Sequence, residues 1–449
     1  MARKIESTAQ SNSLILIIFF CLSVLLLLFS KNGVAQSQTQ DERIHTMVEK
    51  FFDLYNSGDT ASYRKFLEPV SETESELQRT LTGYNNAFRM IGKVDVKRIQ
   101  VNSPQQAEVW TKDLKYDAWW KFSIYADSLQ HFKRRTIQPS PFESHFIQTG
   151  RLSNQQISEA IDEYLNNKLS SNFSGNVFIA NGNQVIYSKS FGTNPENQPN
   201  TFEQQFHLAS TGKMFTAISI LQLKDKGLLS LVDSVKKFLP ALENTALANI
   251  TISQLLTHTS GMGDFFEHPL YEKLKDSLRT AKDFLPFIDT DKPSFEPGKG
   301  WRYSNTGFCL LALIIEKVSN KSFEDYIVQN IFAKASMSKS VTGSGAGGGL
   351  STISDLNHFS KALIYNKLLN KTTTTELLEF TVNGKYGYGT EHQTLGEENI
   401  VGHSGGFINV CNELNIYTKS NYIVIILSNS NPPYAHFLSN KIKELLVRK

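Results

Sequence analysis

The sequence has little of several features that mark whole classes of protein. Its three cysteines exclude a disulfide-stapled miniprotein, and 27 glycines among 449 residues exclude a collagen-like chain. A formal net charge of only +3, with no basic stripe along the chain, argues against a nucleic-acid partner. A mean hydropathy of -0.27 excludes a polytopic membrane protein. The 40% of residues that are hydrophobic supply enough apolar material for real cores, which excludes a disordered chain.

One long apolar run stands at the start of the chain. Arg3 and Lys4 precede the apolar residues 14–29, and small residues follow as far as Ala35. This order predicts a secretory signal over residues 1–35 that is cut after its last residue, and therefore an exported protein, periplasmic or secreted. An uncleaved signal would be the protein's only contact with a membrane, since an apolar run of this length approaches the lower limit for spanning.

Residues 40–140 have the pattern of a small α+β domain. Apolar residues at helical spacing over 41–68 predict two short helices, and the runs between Val96 and Ile137 alternate like successive antiparallel strands. The stretch 48–59 resembles the start of the nuclear-transport-factor-two-like cone fold. No catalytic cluster appears here, so we predict an accessory or binding domain.

A second domain is predicted over residues 152–449, after a linker at 139–141. A hairpin is expected around Asn181-Gly182 and a buried strand over 422–427, with a long, mostly helical stretch between them. Strands at both ends of the domain predict a sheet whose members lie far apart in the sequence. Its two cysteines, Cys309 and Cys411, stand in apolar contexts, and the sequence leaves open whether they pair.

Ser210 and Lys213 fit the pattern Ser-x-x-Lys, which occurs at three other places in the chain. Only Ser210 opens a strongly apolar helix, which we expect to end at Gly227. A serine on the first turn lies where free N–H groups favour negative charge, and a lysine three residues later lies on the same face. Burial would lower the pKa of this lysine below its free value of about 10.4 and make it a usable base.

Two further polar clusters precede buried segments of the same domain. The first could supply a tyrosine that shuttles protons and an asparagine that orients the lysine and a substrate amide. The three clusters occur in the order Ser210-x-x-Lys213, Tyr303-x-Asn305 and His403-x-Gly405. Together they resemble the serine β-lactamase and penicillin-binding superfamily, most of all its class C-like branch of hydrolases and esterases. The resemblance covers about residues 152–449.

The resemblance implies a β-lactamase/transpeptidase-like fold of two lobes, an antiparallel sheet flanked by helices beside a helical lobe. It implies that Ser210 is acylated by a peptide, ester or β-lactam-like substrate and that water then releases the acyl group. Lys213 and Tyr303 would act as base and proton relay, and Asn305 would position groups. This chemistry needs neither a cofactor nor a metal.

The resemblance also implies that His403, Gly405 and Gly406 line the substrate cleft on an edge strand. The backbone amides of Ser210 and Gly406 would form the oxyanion hole. Many penicillin-binding members have lysine at the position of His403, whereas a histidine is mostly neutral at pH 7 and holds a substrate carboxylate less well. We therefore favour a D-amino-acid peptidase or an esterase over a true β-lactamase. If His403 must be neutral, activity should rise through about pH 6 to 7.

Two other hypotheses use the same residues. A non-catalytic relative could bind cell-wall peptides and act as a sensor. Alternatively, Gly402-His-Ser404-Gly-Gly406 also fits the nucleophile elbow of α/β-hydrolases, with Glu413 and His436 as the remaining triad residues. The alternation after Ser404 indicates a strand where an elbow requires a helix. A glycine-rich run at 343–348 lacks a preceding strand, so we interpret it as a flexible loop and not as a dinucleotide site. The oligomeric state is left open.

Overall fold

The computed structural model describes residues 42–128 and 132–449. These residues fall into two compact units, the first ending at Pro141 and the second comprising Phe142–Lys449. The predicted signal at residues 1–35 lies outside the described residues, so export stays a prediction. Among the residues described, no helix is long and apolar enough to cross a membrane.

The first unit places helices before a four-stranded antiparallel meander in which each strand pairs with the next. Its elements are α1 (residues 42–57), α2 (Thr60–Leu67), α3 (Glu74–Ile91), β1 (Val94–Ser103), β2 (Gln106–Asp113), β3 (Trp119–Ala126) and β4 (Phe132–Pro139). The small α+β fold agrees with the sequence pattern, although α3 is missing from that prediction. Its resemblance to the nuclear-transport-factor-two-like fold stays a prediction.

The second unit is built on a six-stranded antiparallel sheet in the order β6-β5-β12-β11-β10-β9. The elements in the first half of this unit are α4 (Asn154–Tyr164), β5 (Gly175–Asn181), β6 (Gln184–Phe191), β7 (Phe206–His207), α5 (Lys213–Asp225), α6 (Val235–Phe238), α7 (Ile252–Leu256), α8 (Tyr271–Leu274) and α9 (Leu285–Ile288). The remaining elements are α10 (Asn305–Ser319), α11 (Phe323–Ile327), α12 (Ala333–Ala335), β8 (Leu350–Ser351), α13 (Ile353–Ile364), α14 (Lys371–Glu379), β9 (Glu391–Leu395), β10 (Glu398–Phe407), β11 (Val410–Tyr417), β12 (Tyr422–Ser428) and α15 (Tyr434–Leu446).

One strand pairing inside this sheet joins the two ends of the unit. β5 pairs with β12 over seven residues, so that Phe178 lies opposite Ile425, although these residues are far apart in the sequence. The helices between the two strands form a separate lobe beside the sheet. The predicted two-lobed fold, with distant strands in one sheet, is therefore confirmed.

Two helices of the helical lobe are buried on every side. All residues of α5 from Lys213 to Leu223 and all residues of α10 from Thr306 to Ile315 are buried. A helix without a polar face is stable only in the interior, so these two helices pass through the core. Their first turns carry Lys213 and Asn305, which the core thereby fixes in position.

The predicted end of α5 at Gly227 is confirmed. Gly227 has φ +69°, which lies in the left-handed region that glycine adopts without strain. Its N–H donates to Lys224 O at 2.9 Å, and the N–H of Leu228 donates to Leu223 O at 3.0 Å. This pair of bonds is the Schellman arrangement, which satisfies the last carbonyls of the helix.

The two cysteines of the second unit are both buried and free. Cys309 lies in α10 and Cys411 lies in β11. The question that the sequence leaves open is therefore answered for the described chain: apolar burial, and not a bond between these cysteines, holds the two lobes of this unit.

Strand β10 passes directly over the turn that carries Ser210. Thr211 Oγ1 donates to the carbonyl of His403 at 3.4 Å. A Cβ atom on Gly405 would lie 2.3 Å from the carbonyl oxygen of Leu208, a distance that packed atoms do not tolerate. A Cβ on the next residue, Gly406, would meet its nearest neighbour at 3.6 Å, which is ordinary van der Waals contact. Only the first of these glycines is required by the close approach.

We predict that Gly405→Ala destabilises the second unit by about 2 kcal/mol, because the added methyl group must push β10 away from the Ser210 turn. Gly406→Ala is the matched control and should change the free energy of unfolding by less than about 0.5 kcal/mol. Urea unfolding of both variants measures the difference. Equal stability of the two variants would contradict the close approach.

Candidate active site

Ser210 lies on a strained turn at the start of α5. The turn is a 3₁₀ segment over Ala209–Gly212, and Ala209 has φ +47°, in the left-handed region that alanine rarely adopts. The N–H of Gly348 donates to Ala209 O at 2.8 Å and holds the turn in place. Strain of this kind is found where a side chain must be presented in a fixed direction. Ser210 opens into a cleft of about 800 Å³ between the helical lobe and β10.

The amine of Lys213 is surrounded by three oxygen atoms. Its Nζ donates to Asn305 Oδ1 at 2.6 Å and to the backbone carbonyl of Ala346, and Ser210 Oγ lies 3.2 Å away. The first two partners can only accept hydrogen bonds, so they use two N–H groups of the lysine. A neutral amine then has one lone pair left, and the serine is the partner that can donate to it. This arrangement allows Lys213 to take the proton of Ser210.

Asp264 fixes the orientation of the Asn305 amide. Its Oδ2 atom accepts from Asn305 Nδ2 at 2.6 Å and from the backbone N–H of the same residue at 3.1 Å. Because a carboxylate accepts and an amide nitrogen donates, the Oδ1 atom of Asn305 must point to Lys213. Asp264 thus acts on the lysine through the asparagine, and no motif in the sequence marks this residue.

Burial makes Lys213 a base near neutral pH. The side chain is fully buried, and loss of hydration lowers its pKa to about 7, while the negative charges of Asp264 and Glu391 act in the opposite direction. A substantial fraction of the amine is therefore neutral at physiological pH. The sequence-based expectation of a lowered lysine pKa agrees with this environment.

Tyr303 lies beside the same amine. The ring centroid is 4.8 Å from Lys213 Nζ, and burial raises the pKa of the phenol, although a hydrogen bond with Ser210 acts in the opposite direction. The phenol is therefore protonated at neutral pH and can pass on a proton, but it is not itself the initial base. Between the two candidates for that role, the electrostatics favour Lys213.

A chain of hydrogen bonds connects three loops of the site behind Tyr303. The backbone N–H of Ser304 donates to His258 Nδ1 at 3.1 Å, His258 Nε2 lies 3.0 Å from the hydroxyl of Tyr386, and this hydroxyl lies 2.9 Å from His403 Nε2. At the far end, His403 Nδ1 lies 2.6 Å from the carbonyl of Ser404. The chain ties the Tyr303 loop to β10 through the interior.

The two ends of this chain determine the position of every proton in it. The N–H of Ser304 can only donate, so His258 carries its proton on Nε2, which donates to Tyr386. The carbonyl of Ser404 can only accept, so His403 carries its proton on Nδ1, and its Nε2 accepts from the tyrosine. Burial lowers the pKa of both histidines, which keeps them neutral.

His403 is therefore neutral, but not for the reason expected from the sequence. Its residue surface is only 2% exposed, and both ring nitrogens are engaged within the protein. Burial lowers its pKa below the ordinary value, so His403 stays neutral at neutral pH. The rise in activity expected near pH 7 is better assigned to Lys213, whose pKa burial lowers to about 7. His403 lines the cleft, but it offers no free N–H to a substrate carboxylate.

Gly405 and Gly406 follow on a part of β10 that has one neighbouring strand. β9 is the outermost strand of the sheet, and its last pair with β10 joins Glu391 to Gly402. Beyond this pair, the described β10 is bordered only by β11, so it presents an edge to the cleft. The prediction that these residues lie on an edge strand therefore holds only for the second half of β10, after Gly402.

The side chain of Glu391 closes the gap where β9 ends. Its Oε2 accepts from the backbone N–H of Ser404 at 3.0 Å, and its Oε1 accepts from the Ser404 hydroxyl at 2.8 Å. The carboxylate also lies 3.7 Å from His403 Nδ1 and remains 43% exposed in the cleft. It places a negative charge in the cleft that Ser210 faces.

The alternative nucleophile, Ser404, has no free histidine nitrogen beside its hydroxyl, since both ring nitrogens of His403 are engaged by other groups. It lies inside β10, which continues into β11 and not into a helix, and its hydroxyl donates to Glu391. Glu413 and His436 do pair, but with each other. The elbow hypothesis is therefore wrong, because the strand-to-helix turn that it requires is absent from this part of the described chain. Among all the residues described, no group of three or more His, Cys, Asp or Glu is arranged to hold a metal ion.

The glycine-rich run at 343–348 is part of the site. Its Gly345 carbonyl accepts from Thr216 Oγ1 at 2.7 Å, and its Ala346 carbonyl accepts from Lys213. A Cβ on Gly347 would lie 2.3 Å from Ala209 O, so glycine lets this loop pack against the Ser210 turn. The run is a loop, as interpreted from the sequence, and these contacts hold it against the Ser210 turn. The glycines of this run were the feature of the sequence that indicated its close packing against other backbone.

Residues 168–449 match the family described as Beta-lactamase. The chain belongs to the β-lactamase family. It is accordingly a serine hydrolase of the β-lactamase fold, as the three motifs predicted.

Named relatives and solved structures agree with this placement. Penicillin-binding protein 4* of Bacillus subtilis (strain 168) is 37% identical over 171 residues, which cover 37% of this chain and 37% of that protein, well under two thirds of its length. The crystal structure of a penicillin-binding protein from Bacillus halodurans is 28% identical, with a TM-score of 0.54 over 65% of this chain and 98% of that chain. D-amino acid amidase from Ochrobactrum anthropi SV3, solved with D-phenylalanine, is 19% identical, with a TM-score of 0.56 over 65% and 97% of the two chains, and shares the fold.

Because Lys213 must be neutral to accept a proton, we predict that the rate of Ser210 acylation is low below pH 7 and rises to a plateau above it. Asp264→Asn removes a negative charge that raises the lysine pKa, so this rise should move to lower pH. The pH profile of inactivation by an uncharged fluorophosphonate measures both. Asp289→Asn, at an exposed position, is the charge-matched control. An unmoved or upward-shifted profile in Asp264→Asn would contradict the assignment.

We predict that Tyr386→Phe costs about 2–4 kcal/mol of folding stability, since it leaves a buried donor on His258 and a buried acceptor on His403 without partners. Tyr326→Phe is the matched control, because the buried Tyr326 hydroxyl has no hydrogen-bond partner, and it should be neutral or slightly stabilising. Denaturant unfolding measures both variants. Equal costs would show that the chain of hydrogen bonds contributes nothing specific.

Proposed function

We propose that the chain is an exported serine hydrolase that cleaves amide or ester bonds of D-amino-acid-type substrates through an acyl group on Ser210. The single observation that carries the proposal is the environment of Lys213. Its two N–H groups are held by Asn305 and Ala346, and its remaining position faces Ser210 Oγ at 3.2 Å. The predicted signal over residues 1–35 supports export to the periplasm or the medium.

Acylation begins with the transfer of the Ser210 proton to the neutral amine. The serine oxygen attacks the scissile carbonyl, and we assign the oxyanion hole to the backbone N–H groups of Ser210 and Gly406, two residues that line the cleft. The leaving group then takes a proton, and the protonated Tyr303, between Lys213 and the cleft, is suited to relay it. Water releases the acyl group by the reverse sequence, with the lysine again as base.

The charges of the cleft favour this activity over β-lactam hydrolysis. A β-lactam carries a carboxylate, whereas the position that could bind it holds a neutral His403 whose nitrogens are occupied. The nearby Glu391 would repel it. The class of substrate is taken from the named relatives, which include penicillin-binding proteins and a D-amino acid amidase that was solved with D-phenylalanine.

An aromatic wall on the helical side of the cleft suits an apolar side chain. The exposed ring of Phe266 lies 5.9 Å from that of Phe407, which projects from the end of β10, and Phe265 and Phe284 stand behind it with their rings 4.7 Å apart. Apolar surface of this kind gains free energy when a hydrophobic acyl group covers it. Phenylalanine-type substrates are therefore suitable first probes.

We predict that an uncharged fluorophosphonate adds once to the wild-type protein and not to Ser210→Ala. Ser404→Ala is the matched control and should still be labelled, because it leaves Ser210 and the amine of Lys213 in place. Intact mass spectrometry measures the adduct. D- and L-phenylalanine amides and esters, with a penicillin beside them, then identify the acyl group and the enantiomer.

Two results would overturn the proposal. Labelling that persists in Ser210→Ala and is lost in Ser404→Ala would move the nucleophile to β10. No adduct at all, together with tight binding of muropeptides, would favour the non-catalytic sensor.

A further inference from the structure

The carboxylate of Glu391 has no cationic partner among the described residues. Its hydrogen bonds come from the backbone N–H and the hydroxyl of Ser404, and neither group carries charge. His403 Nδ1 lies 3.7 Å from the carboxylate, but burial lowers the pKa of this histidine, so that it is neutral. The side chain is nevertheless 43% exposed in the cleft.

The other cations of the cleft do not neutralise this charge. Lys213 is buried with a pKa of about 7, and its N–H groups donate to Asn305 and Ala346. Lys275 lines the cleft but pairs with Glu272 at 2.7 Å. The cleft therefore presents a carboxylate with two hydrogen bonds to the protein, and a carboxylate can accept about four.

We propose that Glu391 selects substrates that carry an ammonium group next to the scissile bond and disfavours those that carry a carboxylate there. An ammonium ion can donate to the free lone pairs of Glu391 from the open side of the cleft, which gives a charge-assisted hydrogen bond. The inference rests on the proposed hydrolase activity of Ser210 and names the charge of its substrate. Glu391 is thus a specificity-determining residue for this reaction.

A purely structural role for Glu391 makes a different prediction. If the side chain only closes the edge of β10 at Ser404, glutamine serves equally well, since its Oε1 atom also accepts a hydrogen bond from Ser404. Glu391→Gln then leaves substrate preference unchanged. If the charge selects the substrate, the same variant keeps the fold and loses the preference.

The experiment compares ester pairs that differ in charge. On the acyl side, phenylalanine ethyl ester is paired with ethyl 3-phenylpropanoate, which lacks the amine. On the alcohol side, the 2-(dimethylammonio)ethyl ester of 3-phenylpropanoic acid, which keeps one N–H donor, is paired with its 3-methylbutyl ester, which has the same shape without the charge. N-succinyl-phenylalanine ethyl ester supplies a carboxylate. The readout is the ratio of kcat/KM within each pair, in which a general loss of activity cancels.

We expect the wild-type protein to prefer the cationic member of at least one pair by about 10- to 100-fold and to disfavour the succinylated ester. Glu391→Gln should bring the preferred ratio close to one. Glu397→Gln, which removes the same charge from an exposed turn at the far end of β9, should keep the wild-type ratio. Thermal unfolding of both variants checks that the fold is retained.

The outcomes separate the two proposals. Turnover of the neutral esters without any cationic preference, or a preference that survives in Glu391→Gln, would overturn the role of Glu391 and leave the hydrolase intact. No turnover of any ester, together with no fluorophosphonate adduct on Ser210, would overturn the proposed function itself.

Discussion

The site depends on the burial of one amine. Lys213 is the first residue of a helix that is buried on every side, and the loss of water around it lowers its pKa to about 7. A charged ammonium at this depth would lack hydration, and the carbonyl of Ala346 and the amide of Asn305 replace only part of it. The packing that stabilises the helical lobe and the chemistry that activates Ser210 are therefore consequences of the same core.

The direction of the hydrogen bonds fixes the orientation and protonation of the side chains around Lys213. A carboxylate at Asp264 fixes the Asn305 amide, and a backbone donor and a backbone acceptor fix the tautomers of His258 and His403 through Tyr386. Each chain begins or ends on a group that can only donate or only accept. The protons inside the site therefore have fixed positions on their donor atoms. No side chain in these hydrogen-bond chains has to reorient before the proton leaves Ser210.

The parts of the site that could be predicted are those encoded locally. Ser210 and Lys213 are three residues apart on one helix, and the apolar run after them predicts its burial, so spacing and period were sufficient. Asp264, Ala346 and Tyr386 come from loops without periodicity, and their contacts span 41, 133 and 128 residues of sequence. Glu391 meets Ser404 because the pairing of β9 with β10 stops at Gly402, two residues before Ser404. The end of such a strand depends on its pairing with the neighbouring strand, so it cannot be predicted from a single amino-acid sequence.

Specificity and catalysis are coupled through charge. A cation at the position of His403 and a cation at Lys213 would each lower the pKa of the other, as the repulsion between the two side chains already indicates. A neutral histidine avoids this conflict, but the site then needs another group to recognise substrate charge. Glu391 raises the pKa of Lys213 while its own charge is unpaired. An ammonium group bound to Glu391 would cancel that field, so the arrival of a cationic substrate would itself favour the neutral, proton-accepting form of the lysine.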